Sequence, residues 1–168
     1  MSASNPAAPT VPGAPFFHYA DGHLRVEGLA LADLAREHGT PLFVYSQAAL
    51  LAALGAYQRA LQGRAALICY AVKANPNLAL LQTLVQAGCG LDIVSGGELQ
   101  RARHSGVAPE RIVFSGVGKT RAEMRQALQA GIGCFNVESL PEIEVLNLEA
   151  LSLGRQAPVS LRVNPDVD

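Results

Sequence analysis

The sequence predicts an α/β fold, in the form of a partial (β/α)8 TIM-type barrel with about five of the eight strand–helix units. Three observations lead to this prediction. From residue 65 onward, short apolar segments alternate with amphipathic segments. Each amphipathic segment begins near a residue that can cap a helix and ends at a glycine. The first strand–helix turn, YAVKANPN, lacks the GxGxxG pattern of a doubly wound nucleotide-binding sheet, which favours a barrel.

The expected organisation has three parts. Residues 1–15, MSASNPAAPTVPGAP, contain no lysine or arginine and no apolar segment typical of signal peptides, so we expect a flexible lead there. Residues 16–46 are expected to form short strands and one helix. Residues 47–168 are expected to form the partial barrel.

The elements of the 16–46 segment follow from its turn and cap residues. The pair Asp21-Gly22 predicts a hairpin, because both residues tolerate positive φ. LALADLAREHG predicts a short helix that ends at Gly39. PLFVYS, residues 41–46, predicts a strand, and Ser46 is expected to cap the helix that follows.

The repeating part predicts five parallel strands joined by right-handed helical crossovers. The strands are expected at residues 66–73, 90–94, 111–115, 132–137 and 158–163. The helix caps are expected at Asn75 (before Pro76), Ser95, Thr120 and Ser139. In the last three, a glutamate follows three residues later, which predicts capping boxes. The helices are expected to end at Gly88, Gly106, Gly131 and Gly154.

Polar residues stand at the carboxyl ends of all five expected strands. Side chains alternate between the faces of a strand, so Cys69, Ala71 and Lys73 are expected to point into the barrel, with Lys73 last. The following strand ends carry Asp92, Ser115, Asn136 with Glu138, and Arg162 with Asn164. Barrel enzymes hold their active sites at this end, so the sequence predicts a site here.

Lys73 is the candidate nucleophile of this site. The chain contains eleven arginines and two lysines, so a lysine that merely keeps the surface soluble is the weaker alternative. Burial beside cysteine, alanine and valine would keep more of the amine in its neutral, nucleophilic form, which is suited to reaction with an aldehyde.

Several functional classes are disfavoured by composition. The net charge is -1 and charged residues make up 16%, which gives no electrostatic footprint for nucleic acid or an anionic membrane. The segment GVGKT is not a phosphate loop, because Val113 occupies the position that needs a glycine. The three cysteines lie far apart without histidines at ligand spacing, so free thiols in a cytosolic protein are expected and no metal site is predicted.

The combination of YAVKAN, DIVSGGEL (92–99), FSGVGKT (114–120), FNVES and LRVNPDVD (161–168) resembles the diaminopimelate decarboxylase family, fold-type III enzymes that depend on pyridoxal 5'-phosphate (PLP). The resemblance runs from about Phe16 to Asp168. It implies an eight-stranded barrel plus a separate β-domain to which 16–46 contributes strands. Because members of that family are much longer, the resemblance implies that this chain is an N-terminal part, inactive alone.

The resemblance also implies roles for four residues. Lys73 matches the lysine that bonds covalently to PLP, and Asp92 and Glu98 match acids of the cofactor pocket. Arg162 matches an arginine close to the cofactor ring. Purely structural alternatives remain: an arginine salt bridge for Asp92, a helix cap for Glu98, and pairing with Asp92 or Glu138 for Arg162.

The implied reaction is the decarboxylation of meso-2,6-diaminopimelate to L-lysine with PLP as cofactor, in a cytoplasmic homodimer. One alternative is another enzyme of the same fold type, such as an arginine or ornithine decarboxylase or an alanine racemase-like enzyme. The other alternative is a truncated homologue that performs no chemistry.

Overall fold

The structure is a computed structural model that describes residues 11–163 and 165. Most of the expected lead, residues 1–10, and the expected site residue Asn164 lie outside the described residues. Contacts divide the chain into two units, one ending at Ala56 and the other beginning at Tyr57. In the described part, no helix is both long enough and apolar enough to cross a membrane.

The first unit contains a small antiparallel sheet with the strand order β1-β2-β3. The strands are β1 (Phe17–Ala20), β2 (His23–Val26) and β3 (Leu29–Ala30). Asp21 and Gly22 have φ values of 52° and 77° and connect Ala20 to its register partner His23. The predicted hairpin is therefore confirmed.

Two helices complete the description of this region, α1 (Leu31–His38) and α2 (Gln47–Ala60). Helix α1 ends at Gly39, as predicted. Ser46 caps α2, since its Oγ accepts a hydrogen bond from Ala49 N at 3.0 Å.

The strand predicted at 41–46 is wrong. Residues 42–46 have no regular secondary structure, and Phe43 is 85% exposed. Apolar alternation indicates a strand only where a neighbouring strand completes the hydrogen-bond ladder, and the sheet β1-β2-β3 does not include this segment.

The second unit contains a parallel sheet of five strands in chain order. The strands are β4 (Cys69–Ala71), β5 (Gly90–Ile93), β6 (Ile112–Phe114), β7 (Cys134–Val137) and β8 (Val159–Leu161). The helices that connect them are α3 (Leu78–Gln86), α4 (Gly96–His104), α5 (Arg121–Ala130) and α6 (Leu140–Ser152). Strand–helix alternation with sequential parallel pairing is what the sequence predicts for part of a barrel.

The core of the second unit lies between the sheet and its helices. Leu91, Ile93, Ile112 and Phe114 are 0% exposed, and burying each such side chain contributes about 1.5–3 kcal/mol. They occupy alternate positions in β5 and β6, so the residue between Leu91 and Ile93 faces the opposite side of the sheet.

The strand β4 is shorter than predicted, and the cap of α3 differs. Residues Val72–Ala74 form a 3-10 turn that ends the strand before Lys73. The N-cap of α3 is Asn77, whose side chain accepts from the N–H groups of Ala79 and Leu80. Asn75, the predicted cap, instead accepts a hydrogen bond from Asn77 N at 3.0 Å, because this local turn delays the start of the helix.

The three predicted capping boxes are only partly confirmed. Each Ser or Thr accepts from the N–H of the glutamate three residues later, but only the Thr120–Glu123 pair is reciprocal. Glu98 and Glu142 accept instead from the N–H groups of Val94 and Glu138, one residue before their caps. The predicted helix ends are confirmed by positive φ at Gly88, Gly106, Gly131 and Gly154.

Candidate cofactor site at the carboxyl ends of the strands

A cavity of about 370 Å³ lies at the carboxyl-terminal side of the parallel sheet. Its size is within the range of roughly 300–1,000 Å³ that is typical of small-molecule sites. It is lined by Lys73, Asp92, Ser115, Asn136, Glu138, Ser160 and Arg162. The structure therefore brings together three of the four residues given a cofactor role with Ser115, Asn136 and Glu138, which the sequence also placed at these strand ends, and it adds Ser160.

The strand register explains why these side chains meet. Asp92 lies between two fully buried residues that face the helices, so its own side chain points into the concave side. Asp92 pairs with Ala71 on one side and Val113 on the other, and Asn136 pairs with Ser160. Through Val113, Asp92 is level with Cys134, two residues before Asn136, so the side chains of Asp92 and Asn136 face the same side of the sheet at successive levels.

Lys73 lies at the rim of the cavity and is exposed, although the sequence reasoning expected it to be buried. The reason is the 3-10 turn, which ends β4 at Ala71 and carries Lys73 out of the strand. Within the described residues, its amine has no hydrogen bond or ion pair. It is thus an accessible primary amine that no other side chain constrains.

Asp92, Ser115 and Asn136 form a hydrogen-bonded line across three neighbouring strand ends. Ser115 Oγ donates to Asp92 Oδ1 at 2.6 Å, and Asn136 Nδ2 donates to Ser115 Oγ at 2.9 Å. Asp92 makes no ion pair with an arginine in the described part of the chain, so the structural alternative considered for it is not realised there.

Arg162 is paired with Glu138, as one alternative anticipated. Its Nη1 lies 3.1 Å from Glu138 Oε2, while Glu138 Oε1 accepts from Gly116 N at 2.9 Å. The carboxylate is therefore fixed by backbone on one side and holds the guanidinium on the other. Both Glu138 and Arg162 line the cavity.

Glu98 does not line the cavity. Its Oε2 accepts from Val94 N at 2.8 Å, at the point where β5 leads into α4. This position agrees with the capping alternative, and the role of Glu98 toward a cofactor stays a prediction.

The second lysine, Lys119, is a residue whose importance the sequence reasoning missed. Its side chain is 0% exposed, and Nζ donates to Gly116 O, Asn136 O and Glu142 Oε1. It also lies 5.7 Å from the centre of the Phe114 ring. These hydrogen bonds of Lys119 connect the loop after β6 to the end of β7, where the cavity residues Asn136 and Glu138 lie. A rare lysine inside a glycine-rich turn after a strand is the signal that could have revealed it.

The cysteines are unsuitable as nucleophiles. Burial, reinforced by the neighbouring Cys89 and Asp92, raises the pKa of the Cys69 thiol to about 11. Burial also raises the pKa values of Cys89 and Cys134. All three are free thiols, and they stay protonated near neutral pH.

Comparisons with known proteins agree with this geometry. Residues 47–168 match the family model described as pyridoxal-dependent decarboxylase, pyridoxal binding domain. The chain is 55% identical over 154 residues to the diaminopimelate decarboxylase of Vibrio cholerae, and 55% identical over 152 residues to that of Pseudomonas aeruginosa. These matches include 91% and 90% of this chain. The solved structure of diaminopimelate decarboxylase from M. jannaschii in co-complex with L-lysine has a TM-score of 0.88 at 38% identity and covers 92% of this chain.

The chain spans 37% of the length of these curated relatives and of the M. jannaschii structure. The expected α/β barrel fold and the resemblance stated from the sequence motifs are confirmed. Because the family model matches most of the chain, this polypeptide belongs to the pyridoxal-dependent decarboxylases, and its cavity lies within their pyridoxal binding domain.

Proposed function

We propose that this chain is part of a PLP-dependent enzyme that decarboxylates meso-2,6-diaminopimelate to L-lysine. The observation that carries the proposal is the amine of Lys73, which has no partner among the described residues, at a cavity lined by acidic and basic side chains at the carboxyl ends of parallel strands. The name shared by the relatives at 55% identity supports the substrate.

The residues present fit PLP. An aldehyde requires a primary amine that is accessible and free of ion pairs, and Lys73 meets both conditions within the described residues. A positively charged nitrogen at the Lys73 end of the cavity would be favoured by a carboxylate nearby, and Asp92, which Ser115 holds through Oδ1, supplies that charge. When bound, PLP supplies an electron sink for the negative charge that loss of CO₂ leaves behind.

Each cavity residue has a distinct part in this proposal. Lys73 would hold PLP through its amine. Asp92 would place negative charge near that nitrogen and so favour its positively charged form. Arg162, held by Glu138, would offer its guanidinium to polar groups of the cofactor. A cytoplasmic homodimer completes the proposal, on the strength of the family resemblance alone.

The test uses a completed protein, meaning this chain extended to the length of its relatives with the C-terminal remainder of the Vibrio cholerae enzyme. Borohydride reduction with PLP, followed by peptide mapping, is expected to place the label on Lys73. Lys119 serves as the internal control and is expected to stay unlabelled, since its amine is buried with three acceptors. The matched variant Lys73→Arg keeps the positive charge but is expected to take no label there.

Release of CO₂ decides the substrate. The completed protein is expected to act on meso-2,6-diaminopimelate and to leave ornithine and arginine unchanged. A label on another residue, with Lys73 unmodified, contradicts the role of Lys73. Turnover of ornithine or arginine in place of diaminopimelate supports the alternative enzymes instead.

A further inference from the structure

Ser115 occupies a central position between two polar residues of neighbouring strands. Its Oγ lies 2.6 Å from Asp92 Oδ1 and 2.9 Å from Asn136 Nδ2. Its backbone is also fixed, because Ser115 N donates to Ile93 O at 2.8 Å. With its backbone fixed and its hydroxyl held by two partners, the Ser115 side chain has little freedom to rotate, so the hydroxyl keeps a defined position relative to both partners.

The direction of these hydrogen bonds follows from the chemistry of the groups. The amide nitrogen of Asn136 can only donate, so it occupies a lone pair of the Ser115 hydroxyl. The single hydroxyl proton is then directed to Asp92, whose carboxylate can only accept. Asn136 Oδ1 faces Cys134 Sγ at 4.0 Å, and the protonated thiol is a donor, which agrees with this amide orientation.

Asn136 is itself held in place by the buried lysine. Lys119 Nζ donates to the backbone oxygen of Asn136 at 2.7 Å, which fixes the main chain from which the amide side chain projects. The line of contacts therefore runs from a buried ion pair, through Asn136 and Ser115, to Asp92.

Asp92 depends on this hydroxyl for its orientation. In the part of the chain that the structure describes, Ser115 is its hydrogen-bond partner, and no cation lies within ion-pair distance. With Oδ1 occupied, Oδ2 is the oxygen left to face a ligand of the cavity. Without the hydroxyl, a short carboxylate would rotate among its side-chain conformers.

We propose that Ser115 is a positioning residue for the cofactor: its hydroxyl, oriented by Asn136, holds Asp92 so that one carboxylate oxygen faces the group bound at Lys73. This inference rests on the proposed function. Ser115 does not touch the reacting atoms in this scheme and acts through Asp92. In metal sites, removing a group that orients a ligating side chain typically lowers metal affinity by about 10–100-fold, and we expect an effect of similar size on PLP affinity here.

The test is a double-mutant cycle on PLP affinity, measured by fluorescence titration of the cofactor-free completed protein. Ser115→Ala is expected to weaken PLP binding about tenfold, because Asp92 loses its one fixed contact. Ser115→Thr keeps a hydroxyl and is expected to stay within about threefold of the unsubstituted protein. In an Asp92→Asn background, Ser115→Ala is expected to change the affinity by less than about twofold, since it acts through the carboxylate.

Ser105→Ala is the matched control. It likewise removes a serine hydroxyl that makes a hydrogen bond, here the buried hydroxyl of Ser105, which donates to Ala102 O at the C-terminal end of α4, away from the cavity. It is expected to leave PLP affinity unchanged, and thermal unfolding of every variant separates loss of binding from loss of folding. Where Asp92→Asn weakens binding beyond the range of the titration, the same cycle is measured on the rate of borohydride labelling of Lys73.

Two results overturn the inference while leaving the proposed function intact. One is PLP binding by Ser115→Ala within about twofold of the unsubstituted protein. The other is an equal loss in both backgrounds, which means that Ser115 acts independently of Asp92. Failure of the unsubstituted completed protein to bind PLP at Lys73 overturns the proposed function together with the inference.

Discussion

Lys119 Nζ lies 2.6 Å from Glu142 Oε1, and the ammonium group is wholly buried. The other lysine of the chain, Lys73, is exposed and has no partner among the described residues. The two lysines therefore differ in role. The amine of Lys119 stabilises the loops that surround the cavity, and the amine of Lys73 stays available to react.

This division predicts that the same substitution lowers the free energy of unfolding far more at Lys119 than at Lys73. Lys119→Met removes the charge and leaves Glu142 and two carbonyl oxygens without their donor, so the free energy of unfolding is expected to fall by about 3–5 kcal/mol. Urea denaturation of the completed protein measures the change. Lys73→Met is the control and is expected to cost less than about 0.5 kcal/mol, because the Lys73 amine makes no hydrogen bond or ion pair with the residues that the structure describes. Equal costs would contradict the assignment of the buried amine as a structural element.

Glu123 predicts a dependence of stability on acid pH. Its carboxylate accepts from Gly96 N at 2.8 Å and Thr120 N at 2.9 Å, and these bonds, in that order, lower its pKa in the folded state. A lowered folded-state pKa contributes stability that is complete above the unfolded-state pKa of about 4.3. The contribution is lost as the pH falls through the lower, folded-state value.

The variant Glu123→Gln tests this dependence. Urea midpoints measured from pH 7 down to acid pH are expected to decline less steeply for Glu123→Gln than for the unsubstituted protein, because glutamine does not titrate. At pH 7 the variant is expected to be less stable by about 1–2 kcal/mol, through the loss of the charged cap. Parallel pH curves for the two proteins would show that Glu123 does not contribute.

The thiol of Cys69 predicts slow alkylation in the folded protein. Only the thiolate reacts, and a pKa of about 11 leaves little thiolate at pH 8. The rate of iodoacetamide labelling, followed by peptide mass spectrometry, is expected to keep rising as the pH approaches 11. The same protein in urea is the control, where an ordinary thiol pKa of about 8.5 gives rapid labelling at pH 8. Equal rates in the two states would exclude the raised pKa.

Gly90 predicts a steric limit between adjacent strands. A Cβ atom there would lie 2.6 Å from Arg111 O and 2.8 Å from Cys69 Sγ, closer than real contacts allow. Gly90→Ala is expected to lower the free energy of unfolding by about 1–3 kcal/mol, because β5 must shift against its neighbours. Gly118→Ala is the matched control, since nothing lies within 4 Å of its added carbon. A urea series on both variants in the completed protein checks the difference, and an unchanged midpoint for Gly90→Ala would show that the strands adapt freely.

The features that depend on local backbone chemistry are those that the sequence predicts well. Asp21 and Gly22 form the expected turn because their preference for positive φ acts within the pair itself. The order of the strands and the meeting of Lys73, Asp92 and Arg162 follow in the same way, since parallel alternation places successive strand ends on one edge.

The features that depend on a distant partner are those that the sequence does not predict. Residues 41–46 have the pattern of a strand but no neighbouring strand in the described sheets. The carboxylate of Glu98 accepts from the N–H of Val94 and not from the expected donor, the N–H of Ser95, because the side-chain conformer of Glu98 decides between them. Lys119 is buried by groups from β7 and α6, and the spacing GVGKT contains no information about either.

Because Lys73 is exposed, limited proteolysis after this residue can report whether the cavity is occupied. An endoprotease that hydrolyses peptide bonds only after lysine has two recognition points in this chain, and one of them, Lys119, is sealed in the interior. Cleavage of the folded protein would therefore begin after Lys73, and a compound bound over Lys73 would slow this cleavage. The yield of the fragment that ends at Lys73, measured on a gel, would then report occupancy of the cavity by any compound.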